Sequence, residues 1–223
     1  MNSTQVAPSN AERSSALRLL KVLGNPWLDR TIATIACIPF VYYGYYRYRH
    51  GFPNLLLVAF LIQLALLVGP MLFRRPPKRV TPNPGYWLLA FVATYWLLMP
   101  ILASPGRPIV SIAVANILAI CSLLIAAWAR FSIGRNIGFV PAQRELVLHG
   151  AYRYVRHPIY TAIFLLYLSF VARVYSPRNV LIAGLGIFWF VVKSFVEEEF
   201  LRADPQYASY MQKVRARWVP FVL

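Results

Sequence analysis

The chain has 223 residues, enough for one domain and at most two. It is 59% hydrophobic and only 13% charged, with a mean hydropathy of +0.54. Soluble domains carry about 25% charged residues, so a water-facing globule of this size is excluded, as are disorder, a coiled coil and a secreted disulfide scaffold. The expected class is all-α: a polytopic integral membrane helical bundle.

Charge is lopsided, with 23 Lys and Arg against 7 Asp and Glu, a net +16. These cations sit between apolar runs and form no dense polar stripe, so no nucleic acid partner is expected. They read instead as topology signals and as contacts with anionic lipid headgroups. Cys37 and Cys121 lie inside apolar runs without pairing or metal-ligand spacing, and no metal site is expected. The first 30 residues lack the long apolar stretch of a cleaved signal.

In chain order, Arg13–Leu23 gathers Arg13, Arg18 and Lys21 opposite Leu19, Leu20 and Leu23, the pattern of a helix lying at a membrane surface. Six apolar runs follow: Thr31–Tyr46, Leu55–Phe73, Tyr86–Ala103, Ile109–Ala129, Pro158–Ala172 and Val180–Val196. A full crossing needs about 20 residues, so the first and fifth runs are short. The last two are either crossings or a tilted hairpin, giving about five to six membrane helices. The Pro-rich loop Arg74–Gly85 reads as a stiff connector. Tyr207, Tyr210, Val214 and Trp218 recur at helical spacing and suggest a second interfacial helix over Tyr207–Trp218. The organisation is thus a 1–30 N-terminal segment, membrane helices over 31–130, and a C-terminal region over 131–223.

Arg47, Arg49, Arg107, Arg173 and Arg178 fall on one side of this arrangement, and the other 18 cations fall on the opposite side. The positive-inside rule places both termini and the long fourth loop in the cytoplasm.

Polar residues inside the runs are few. Gln63 and Asn116 are uncharged and suit helix bridging. Lys193 lies near the end of the last run, where it could snorkel, and its neighbours are Glu197, Glu198 and Glu199. Carboxylates at a helix C-terminus oppose the macrodipole, and residues about 100° apart cannot all face one pocket. Glu197 can pair with Lys193, and Glu198 with Arg202, at i,i+4. Two readings stay open: a solvated acidic cap, or a cation site facing the interior.

A second constellation runs from Gly150 through Tyr152, Arg153, Arg156, His157 and Pro158 to Tyr160. Pro158 suits the first position of a helix with His157 as its cap. Free N–H groups there, with Arg156 and His157, would form an anion site; an aromatic-and-basic interfacial belt is the alternative. The two constellations bracket one helical hairpin and together suit a ligand whose head carries both charges. Gly184-Leu185-Gly186 reads as helix packing.

Gly-x-Tyr-Arg-x-x-Arg-His-Pro-x-Tyr, followed by Glu-Glu-x-x-Leu, Tyr-x-x-Tyr and a final Arg-x-x-Pro, resembles the isoprenylcysteine carboxyl methyltransferase family, with its related phospholipid N-methyltransferases and small bacterial membrane methyltransferases. The likeness covers about Phe131–Pro220. It implies S-adenosylmethionine as cofactor, held by Arg144, Glu145, Leu146, Val147, Tyr152, His157, Pro158, Ile159, Tyr160 and Glu197, with Glu198 in support. It also implies an acceptor end near Lys193, where the family has Arg; Lys keeps the charge but loses the bidentate fork. Gly150-Ala151-Tyr152 departs mildly from the Gly-Pro-Tyr frequent in bacterial relatives. Arg217 is the second expected acceptor-positioning group.

The implied enzyme transfers a methyl group to a lipophilic or small acceptor in a bacterial inner membrane, with its active site cytoplasmic. It needs in-line positioning and water exclusion, not a nucleophilic side chain or metal. The alternatives are an NADPH-dependent sterol or steroid reductase, which shares part of the C-terminal pattern, and a non-catalytic membrane scaffold or transporter.

Overall fold

The computed structural model describes residues 25–50, 62–63, 65–67, 69–138 and 140–220. Most of these are helical. The expected interfacial segment Arg13–Leu23 and the first part of the second apolar run lie outside the described residues.

Six α-helices are labelled here: α1 (Pro26–Arg49), α2 (Pro84–Tyr95), α3 (Ile112–Ile133), α4 (Pro158–Arg173), α5 (Pro177–Leu201) and α6 (Pro205–Lys213). Helical backbone also runs to Leu72 between α1 and α2. Five of the six labelled helices begin on proline. The ring presets φ, and the missing N–H would have lacked a partner in the first turn anyway. Side chains of Asn25, Asn83, Ser111, Ser176 and Asp204 cap the other first-turn donors. The third apolar run stays in register but tightens after Tyr95 into a 3₁₀ helix, Trp96–Leu102.

Two helical stretches of 25 residues, Ile112–Asn136 and Pro177–Leu201, are long and apolar enough to cross a membrane by length and composition. α4 has 16 residues and is shorter, as the fifth run implied. α1 has 24 residues, but it carries Arg30 and five tyrosines.

α3 is inverted relative to a soluble helix. Ala115, Ala119, Ser122, Ala126 and Ala129 are buried, whereas Ile112, Ile117, Leu124, Trp128 and Phe131 are exposed. An outer face of this kind needs an apolar surround. Small inner residues let α3 and α4 approach closely, as membrane helices do. Two hydroxyls join them: Ser122 Oγ donates to Ala162 O at 2.7 Å and Ser169 Oγ to Ala115 O at 2.8 Å. Asn116 accepts from Arg173, the helix-bridging role expected of it.

α4 packs on α5 around Tyr160, Ile163, Tyr167, Ala183 and Phe190. A Cβ on Gly186 would collide with the Tyr167 ring, whereas Gly184 faces open space. At the far end of the hairpin Asn179 is fully buried. It accepts from Ser104 N at 3.0 Å and donates to Ser104 O at 3.0 Å and Val174 O at 2.7 Å, fastening the end of the third run to the α4–α5 turn.

The loop after the second run is more than a connector. Arg79–Val80 (β1) pairs antiparallel with Ala142–Gln143 (β2) in the long fourth loop. Val80 and Thr81 are buried, and Trp87 Nε1 donates to Thr81 O at 2.8 Å. The second expected interfacial helix is also revised. α6 stops at Lys213, Tyr207 and Tyr210 are buried, and residues 214–218 form a non-helical strap. Pairing explains this: Arg156 N donates to Ala216 O at 3.0 Å and His157 N to Arg217 O at 2.9 Å.

The α3–α4 interface generates a prediction. Ala115→Leu, overpacking a position that is 1% exposed, lowers stability by about 1–3 kcal/mol. Ile117→Leu, on the outer face, changes it by less than about 0.5 kcal/mol. Thermal unfolding in detergent measures both.

Candidate functional site

The cation-rich end of the bundle encloses a cavity of about 240 Å³. Its walls come from α3, the fourth loop, α4, α5 and α6, with Thr94 and Leu97 closing one side. Glycine shapes the loop at two points. Gly134 ends α3 at φ +53°. Gly150 sits at φ +60°, where a Cβ would also strike Ser132 Oγ, and that oxygen accepts from Ala151 N at 3.1 Å.

The three consecutive glutamates take three directions, as their 100° spacing requires. Glu199 is exposed and accepts from Tyr86 Oη at 3.1 Å. Glu197 lines the cavity: Tyr160 Oη donates to its Oε2 at 2.7 Å, and Lys193 Nζ stands 3.8 Å from Oε1. His157 Nδ1 lies 3.9 Å from the same carboxylate. Glu198 is 1% exposed and turns away from the expected Arg202, which supplies only a backbone hydrogen bond.

Glu198 instead gathers three cationic or proton-donating groups. Arg156 Nε donates to Oε1 at 2.7 Å, and His157 Nε2 lies 3.0 Å from Oε1. Arg217 Nη2 donates to Oε2 at 2.7 Å, while its guanidinium stacks 3.8 Å over Phe195. Arg156 Nη1 also donates to Val214 O at 2.7 Å and Arg215 O at 2.6 Å. The Arg-His pair expected to hold an external anion thus holds the protein's own carboxylate. A buried carboxylate survives only with such multiple charge-assisted bonds.

Pro158 opens α4 with His157 as its cap, as expected, and the His157 ring stacks on Tyr160 with centroids 5.1 Å apart. Arg144, Glu145, Leu146, Val147, Tyr152, His157, Ile159, Tyr160, Lys193 and Glu197 all reach the cavity wall. Pro158, Glu198 and Arg217 lie behind it. Lys193 does not snorkel: it is 4% exposed and donates to Thr94 Oγ1 at 3.3 Å. Glu145 pairs with Arg75, and Arg144 Nε donates to Arg75 O at 3.1 Å.

Burial pushes the Tyr152 phenol well above its usual value; Tyr210 and Glu197 raise it further and Arg130 opposes them. Desolvation likewise raises Tyr207 and Tyr210. These hydroxyls therefore stay protonated as hydrogen-bond donors, and Tyr210 Oη donates to Tyr152 O at 2.7 Å.

Sequence reasoning missed several wall residues. Arg130, at the end of α3, resembled one more topology cation, and Asn136 had no motif around it. Among the described residues, Arg130 Nε and Nη1 and Asn136 Oδ1 are buried without a hydrogen-bond partner. No cluster of metal ligands occurs among the described residues.

The class these features suggest is a helical, membrane-associated protein with a charged cavity at one end of an apolar-faced bundle. Residues 110–207, spanning α3 to the start of α6, match the family model of the phospholipid methyltransferases. The match covers less than half of the chain and makes this segment similar to that family. No curated protein matches the chain.

The Glu198 cluster yields a sharp contrast. Glu198→Gln strands Arg156 and Arg217 and lowers stability by roughly 3–5 kcal/mol. Glu199→Gln, one residue along and exposed, changes it by under about 0.5 kcal/mol. Unfolding curves of the two variants in the same detergent compare them directly.

Proposed function

We propose that the protein is an S-adenosylmethionine-dependent integral membrane methyltransferase acting on a lipophilic acceptor. The carrying observation is that the matched segment supplies most of the cavity wall, with Glu197 on that wall beside Tyr160. The wall fits that cofactor chemically. It presents a carboxylate to a cationic centre, apolar surface from Leu146, Val147 and Ile159, and buried polar atoms without protein partners.

Bound, S-adenosylmethionine supplies a methyl on a sulfonium, and attack by an acceptor lone pair leaves a neutral thioether. The chain's part is binding and orientation. Glu197, set by the Tyr160 hydroxyl, attracts the positive head. Tyr152, kept protonated, donates from the wall. Arg144, Glu145 and the Leu146–Val147 pair form the loop side of the pocket, and His157, Pro158 and Ile159 form the entry of α4. Glu198 holds Arg156 and His157 in place, so Arg217 acts through it as a positioning residue. Lys193, facing Thr94 and Glu197, directs the acceptor. Apolar walls exclude water, which strengthens each of these attractions.

The acceptor enters laterally from the bilayer, since the outer faces of α3 and α5 are apolar. The cavity end carries most of the cations and faces the cytoplasm under the positive-inside rule. Neither the site nor the family match favours a reductase or a scaffold.

Glu197→Gln removes the attracting charge while keeping the Tyr160 hydrogen bond. Isothermal titration in detergent is expected to show S-adenosylmethionine affinity reduced about 10- to 100-fold. Unchanged affinity in the folded variant overturns this placement.

A further inference from the structure

Most cations on the cavity wall have a visible partner. Arg156 is bonded to Glu198, Lys193 faces Glu197 and Thr94, and Arg144 bonds to a backbone carbonyl. Arg130 differs. Its residue is only 7% exposed and lines the cavity, yet Nε and Nη1 have no hydrogen-bond partner among the described residues. A buried guanidinium in that state is costly unless an anion joins it. The C-terminal turn of α3 compensates part of the charge, but carbonyl dipoles leave the unused N–H donors unsatisfied.

The surroundings say what kind of anion. Asn136 Oδ1, on the same wall, is a buried acceptor without a donor. Arg130, Tyr152 and Glu197 all line this cavity, so its wall carries both charges. A bare anion would satisfy Arg130 and be repelled by Glu197. A head bearing a carboxylate and an ammonium suits both, with the ammonium able to donate to Asn136.

We infer that Arg130 is the receptor for the carboxylate of an amino-acid-type head, and specifically, on the reading proposed above, for that of S-adenosylmethionine. Arg130 is therefore a binding residue that sets the ligand's orientation. The guanidinium grips the carboxylate at the α3 side, while Glu197 draws the positive groups toward α5. Binding makes or breaks no bond here.

The test is equilibrium binding, in detergent, of S-adenosylmethionine and of its decarboxylated analogue to the full chain. The wild-type protein is expected to prefer the carboxylated ligand by about 10- to 100-fold, the usual size of a charge-assisted contact. Arg130→Gln should erase that preference while changing affinity for the decarboxylated ligand by less than about 3-fold. Arg130→Lys should restore part of it. Equal wild-type affinity for both ligands overturns the assignment while leaving the cofactor reading intact, and it does so even if Arg130→Gln fails to fold. Equal weakening of both ligands by Arg130→Gln, or of neither, overturns it as well. Failure of the wild-type protein to bind either ligand overturns both the assignment and the cofactor reading.

Discussion

The carboxylate of Glu198 is the constraint on which the cavity end of the bundle depends. It lies on α5, but its partners come from the entry of α4 and from the strap after α6. Burying one negative charge between two guanidiniums and a histidine is favourable only with good geometry. Here both carboxylate oxygens are used, and Arg156 continues to two strap carbonyls. Three stretches distant in sequence thus acquire one arrangement. His157 connects that cluster to the cavity, since its other ring nitrogen lies 3.9 Å from Glu197.

Around this anchor, the bundle leaves many large apolar side chains on its outer surface. α3 buries alanines and exposes isoleucine, leucine and tryptophan, so helix contact relies on close approach and on serine-to-carbonyl bonds. The cavity wall combines charged and apolar side chains, which suits the proposed methyl transfer. The family match over residues 110–207 covers the elements that supply most of the cavity wall. Fold, site and family therefore converge on one region of the chain.

Local features were legible in the sequence. Five of the six apolar runs fall on helices among the described residues, Pro158 and His157 became the start and cap of α4, and Lys193 faces Glu197 one turn away. Helical periodicity also foretold that three adjacent glutamates would diverge. Long-range pairings were not legible. The Arg74–Gly85 loop reads as a connector until Arg79–Val80 is seen against Ala142–Gln143. Tyr207–Trp218 reads as one interfacial helix because period alone cannot reveal that Arg156 and His157 capture the strap backbone. Arg130 was hidden for a different reason: in a chain with 23 cations, one more beside an apolar run looks like topology. Only its place on the cavity wall and its buried Nε and Nη1, unpaired among the described residues, distinguish it.

The most direct test of the account is a comparison of S-adenosylmethionine with NADPH as ligands of the wild-type protein by equilibrium dialysis in detergent. Saturable, stoichiometric binding of S-adenosylmethionine with no specific binding of NADPH is the predicted result. Specific binding of NADPH, or of neither ligand by a protein with an intact fold, contradicts it.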